Sequence, residues 1–78
     1  MFKNLSSKDV AWLLNQVGIT LKRHGKEDVF EGIHGDVTRV VIVPRNKRCI
    51  PQGTLSSILR QAGLDKQLAR EIWQNRKD

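Results

Sequence analysis

The sequence predicts an α+β fold, a three-stranded antiparallel sheet packed against helices, and three observations predict it. An apolar stripe of helical spacing runs through the first twenty residues. The middle of the chain switches to short runs of β-branched residues separated by turn residues, and two further helical stripes follow Pro51. The order is therefore αβββαα, with the helices covering one face of the sheet. At 78 residues the chain has room for one small domain, 1–78, which buries only about 60% of the surface its unfolded form exposes.

The first helix is expected over about residues 7–17. Ser6 can accept from the backbone N–H of Asp9, Asp9 places negative charge in the first turn, and Val10, Leu13, Leu14 and Val17 follow at helical spacing. Gly18 suits a left-handed residue beyond the helix end. Ile19 and Leu21 then alternate with Lys22 in a first strand, 19–24, broken at Gly25. A second strand is expected over 28–33, a turn at His34-Gly35-Asp36, and a third strand over 37–43. The run Val40 to Val43 suggests a strand covered on much of both faces. Thr54 is the predicted N-cap of a helix over 54–62, ended by Gly63. Asp65 then caps a last helical stretch, 65–76, with Leu68, Ala69, Ile72 and Trp73 on one side.

Composition excludes several classes of function. No apolar run reaches eighteen residues, and Met1 to Lys8 lacks the apolar core of a secretion leader. No His/Cys cluster has metal-ligand spacing and no glycine-rich phosphate loop occurs, so neither metal nor other cofactor is expected. The single cysteine, Cys49, cannot form an internal disulfide, and a lone thiol suits a reducing cytoplasm. Fourteen Lys and Arg stand against eight Asp and Glu, a formal charge of +6. Lys22, Arg23, Lys26, Arg39, Arg45, Lys47 and Arg48 all fall between the first strand and Pro51, a grouping that attracts phosphates. The candidate partners of that surface are RNA and an acidic protein; the plainer reading is a solvated basic face. Four aromatic residues, none of them Tyr, make a poor base-stacking platform. Phe30 is expected in the core, and Trp12 and Trp73 either pack the last helix on the first or face a partner.

After Val43-Pro44-Arg45 the segment Pro51–Leu64 reads PQGTLSSILRQAGL. This resembles the HicA (YcfA-like) toxins of bacterial toxin–antitoxin pairs, whose hallmark P-x-G-T-L-x-x-I-L-x-Q-A-G follows V-P-R. The likeness runs from about Lys8 to Ile72. It implies an αβββα fold like a double-stranded-RNA-binding domain, with an extra helical segment at its end. It also implies an endoribonuclease of the mRNA-interferase kind, neutralised by a HicB-like antitoxin through which the toxin oligomerises.

One departure bears on the chemistry. The family's catalytic histidine lies two residues after a glycine, in Gly-Ser-His, and the matching stretch here is Gly25-Lys26-Glu27. RNA carries its own nucleophile, so cleavage needs only a group that moves protons near neutral pH, as imidazole does. Carboxylates ordinarily titrate near about 4 and are weak bases at pH 7, so Glu27 implies impaired catalysis. The alternatives are another acid/base group, a module that binds RNA or antitoxin without cutting, or a histidine replaced to disarm a toxin. His24, three residues upstream, is the second catalytic candidate, and Asp28 could orient an imidazole or simply be solvated. Lys22, Arg23, Lys26, Arg45, Lys47 and Arg48 are the candidate RNA-binding residues, with Gly25 in the turn that presents them. His34 is read as a turn residue and Cys49 as no nucleophile.

Overall fold

The computed structural model describes residues 4–76. Both ends of the expected 1–78 domain, with the first three residues of the segment read for a leader, lie outside them. The elements are α1 (Ser7–Asn15), β1 (Ile19–Arg23), β2 (Glu27–His34), β3 (Val37–Pro44), α2 (Gln52–Ala62) and α3 (Lys66–Gln74). The strands form one antiparallel sheet in the order β1-β2-β3.

Ser6 caps α1 as expected, and the cap is reciprocal. The Asp9 N–H donates to Ser6 Oγ (3.1 Å) and the Ser6 N–H donates to Asp9 Oδ2 (3.0 Å). This is a capping box with aspartate in place of the usual Glu or Gln. α1 ends two residues earlier than predicted. The N–H groups of Val17 and Gly18 turn to the carbonyls three residues back, Leu14 O and Asn15 O, which tightens the last turn. Gly18 then takes φ +83°.

β2 is longer than predicted at both ends. The β2–β3 turn is only Gly35-Asp36, both left-handed (φ +67° and +62°), as a two-residue hairpin of this twist requires. His34 therefore ends a strand instead of making the turn. β1 stops at Arg23, and a register shift between Leu21 and Arg23 sets Leu21 opposite Phe30 and Arg23 opposite Val29.

The register sorts the sheet into two faces. Ile19, Phe30, Val41 and Val43 lie on the inner face and are buried, while Leu21, on the same face of the edge strand, stays 42% exposed. Val40 and Ile33, on the outer face, are 50% and 68% exposed. The expectation that Val40 to Val43 is covered on both sides is thus overturned. The helices lie on one side only, and the β-branched run reflects fit to a pleated sheet. Gln61 of α2 covers part of the β3 edge, its Oε1 accepting the Ile42 N–H at 3.0 Å.

α2 starts at Gln52, two residues before the predicted start, with Pro51 and not Thr54 at the N-cap. Pro51 has φ −56°, and its carbonyl accepts the Leu55 N–H at 2.8 Å; a fixed φ near the helical value favours this place. Gly63 ends the helix with φ +68°. Asp65 takes the N-cap position of α3 without a side-chain capping bond. α3 buries Ala69 and leaves Leu68 40% exposed, outside the expected cluster. It docks on α1 through Trp12 and Trp73, whose rings meet edge to face at 6.1 Å. The Arg76 guanidinium lies over both rings and donates to Asp9 Oδ1 at 3.0 Å.

Gly32 marks a close approach in β2, where an added Cβ would run into the Gly18 carbonyl and the Ile19 backbone. Gly32→Ala is expected to lower stability by about 2–3 kcal/mol and Tm by about 10–20 °C, read by calorimetry. Asp9 gives a pH signature. Partial burial raises its pKa, but the hydrogen bonds from Ser6 and the Arg76 guanidinium outweigh this and hold it below 3.8. A lowered folded pKa adds stability that is present above about 3.8 and is lost as pH falls through the folded value. Asp9→Asn should therefore cost about 1 kcal/mol in urea melts at pH 7. The gap from wild type should narrow at pH well below 3.8.

Candidate functional site

The first turn of α1 is tied to the loop after β3, forty residues away in sequence. The Ser7 N–H donates to Lys47 O (2.9 Å), while Ser7 Oγ donates to Pro44 O (2.7 Å) and accepts the Lys47 N–H (2.9 Å). Just before it, Leu5 O accepts the Ile50 N–H at 2.7 Å. Asn46 takes φ +53°, which suits an Asn in a tight loop. Between helix and loop lies a cleft of about 390 Å³, lined by Ser7, Lys8, Asp28, Asn46, Lys47 and Arg48 among others.

At the edge of this cleft the β1–β2 turn presents His24. Its Nδ1 lies 2.9 Å from Asp28 Oδ1, and the imidazole is 61% exposed while the carboxylate is only 19% exposed. Arg45 reaches the same place from the end of β3. Its Nη1 donates to the Gly25 carbonyl at 3.0 Å and its Nε lies 3.4 Å from Asp28 Oδ1. With Nδ1 facing the carboxylate, a neutral imidazole carries its proton there and leaves Nε2 as a free base.

Strand alternation decides which carboxylate belongs to the cleft. Asp28 is two residues from buried Phe30 and shares its face; Glu27, opposite Pro44, lies on the other face and is exposed. The structure therefore brings together His24, Gly25, Asp28 and Arg45, with Lys47 and Arg48 along the adjoining cleft, and leaves Glu27 apart. Lys22 is also apart, on the outer face, its Nζ 3.0 Å from Glu31 Oε1. Arg23 and Lys26 are exposed beside the turn. Gly25 serves the turn by its carbonyl and not through a left-handed backbone. At the opposite end of the sheet, His34 Nδ1 lies 3.2 Å from Ala62 O and Arg39 Nε donates to His34 O. Cys49 is exposed and donates to Asn4 Oδ1 at 3.4 Å. Sequence reading missed Ser7 and Lys8, whose contribution depends on a contact forty residues long. The pairing of Asp28 with the cleft was readable from its two-residue spacing to Phe30.

The sequence model of a family described as the HicA toxin of bacterial toxin-antitoxin matches residues 7–64, well over half of the chain. The chain belongs to the HicA toxin family. The match spans α1 to the end of α2 and includes every residue of the His24–Asp28–Arg45 group and the cleft beside it. The three-stranded antiparallel sheet with its helices fits the HicA fold, which is like a double-stranded-RNA-binding domain, and membership implies an antitoxin partner. No curated protein matches the chain by sequence. Among the described residues no helix is long and apolar enough to cross a membrane, and no group of three His, Cys, Asp or Glu is placed to hold a metal ion.

Ser7 offers a direct test of how the cleft is held. Ser7→Ala removes two hydrogen bonds, the one donated to Pro44 O and the one accepted from the Lys47 N–H, and should cost about 1–2 kcal/mol. Amide exchange at Lys47 should accelerate more than exchange in β2.

Proposed function

We propose that this chain is an endoribonuclease toxin of the mRNA-interferase kind, acting in the cytoplasm without a metal and neutralised by a HicB-like antitoxin. His24 is the acid/base group, in place of Glu27. The observation that carries the reading is the His24–Asp28 pair beside a cleft lined by Lys8, Lys47 and Arg48. The carboxylate orients the imidazole through Nδ1, and Nε2 accepts the proton of a ribose 2′-OH. The O2′–P bond forms, the P–O5′ bond breaks, and O5′ leaves with a proton from water. The products are a 2′,3′-cyclic phosphate and a 5′-hydroxyl. Lys8, Lys47 and Arg48 hold the flanking phosphates, which makes affinity fall with salt.

A second reading, an RNA- or antitoxin-binding module that does not cut, is favoured by Glu27 at the family's histidine position. RNA cleavage in the presence of EDTA separates the two. The expected result is cleavage by the wild-type chain, a loss of about 10²–10⁴-fold in His24→Ala, and little change in Glu27→Gln. Loss in Glu27→Gln with an active His24→Ala would return the role to Glu27. Salt-sensitive RNA binding with no cleavage by any variant would establish the second reading.

A further inference from the structure

Building on the His24 reading above, we infer that Arg45 is a positioning residue for the His24–Asp28 pair and not a phosphate-holding cation. The imidazole is 61% exposed, so little of its surface is packed against protein and its place is set by what holds its two ends. One end is the backbone of the β1–β2 turn; the other is the Asp28 carboxylate. A single guanidinium meets both, through Nη1 on the Gly25 carbonyl (3.0 Å) and Nε beside Asp28 Oδ1 (3.4 Å), the oxygen that also faces His24. A planar, rigid fork suits this double contact in a way that a point charge does not.

Arg45 is itself well anchored. It follows Pro44, the last residue of β3, whose carbonyl accepts from Ser7 Oγ at the base of α1. The turn is thereby braced against the rest of the domain. Lys47 and Arg48 differ: they line the cleft, and among the described residues neither forms an ion pair with a carboxylate. The basic residues thus divide by task, Lys47 and Arg48 toward the ligand and Arg45 toward the protein's own acid/base pair.

The two roles predict different kinetics. Misplacing a reacting group by about 1 Å costs up to about 100-fold in rate. A lost phosphate contact weakens binding and lowers the salt dependence by about 0.7 in log–log slope for single-stranded RNA. Arg45→Met, Arg45→Lys and Lys47→Met should be compared with wild type in RNA cleavage at several salt concentrations. For Arg45→Met the expected outcome is a kcat lower by about 10–100-fold with KM and salt slope unchanged. Arg45→Lys should not restore kcat, because one ammonium cannot make both contacts. A raised KM, a salt slope reduced as in Lys47→Met, and rescue by lysine would overturn the proposal.

A second readout needs no RNA. In long-range ¹⁵N–¹H spectra of the imidazoles, neutral His24 should be mainly the Nδ1–H tautomer in wild type and a mixture in Arg45→Met. An unchanged tautomer balance overturns the proposal whether or not RNA is cut. A changed balance in a protein that does not cut RNA removes the catalytic reading of His24 and leaves the bracing by Arg45 standing.

Discussion

A chain of this length carries enough apolar side chains to roof one face of a three-stranded sheet, and the rest of the structure follows from that one-sided roof. Under the helices the inner face is apolar, with Ile19, Phe30 and Val41 buried. Past the roof at either end, the same face turns polar: Asp28 at one end, His34 and Arg39 at the other. A carboxylate can sit half-buried at Asp28 because it has ordered cationic and imidazole neighbours there, where an unpartnered charge under the helices would carry a heavy desolvation cost. The cleft beside Asp28 occupies the place where apolar cover ends and α1 begins.

Much of this was legible in advance because local signals agreed with one another. Ser6, Gly18 and Gly63 punctuate the helices where their conformational preferences say they should, and the change from helical to alternating periodicity locates the sheet. The misreadings came from signals with two physical causes. β-branched residues at Val40 and Ile42 satisfy a strand whether or not they are covered. Threonine at position 54 is a good cap in general, but Pro51 stands earlier and fixes the backbone first. The bulge after Leu21 leaves no mark in a pattern of alternation.

For the site, the sequence supplied the ingredients more readily than their arrangement. His24 and Asp28 are four residues apart and Arg45 lies seventeen beyond Asp28, yet Arg45 reaches the pair only because β2 and β3 are antiparallel neighbours with Glu27 opposite Pro44. The match of Gly25-Lys26-Glu27 to the family's Gly-Ser-His pointed to Glu27, whereas strand parity places Asp28 at the cleft. The group of basic residues is likewise divided in space: Lys47 and Arg48 line the cleft, whereas Lys22 is committed to Glu31 on the far face and Arg45 to the turn.

The docking of α3 has an optical consequence. Both tryptophans of the chain stand at the single junction between α1 and α3, beneath one guanidinium. Intrinsic fluorescence therefore watches a seam and not the sheet, and the α3 side of that seam lies beyond the residues that match the family. An emission change in this protein reports first on whether its last helix is seated, and a calorimetric transition that fails to coincide with it would mark that helix as a separately releasable part.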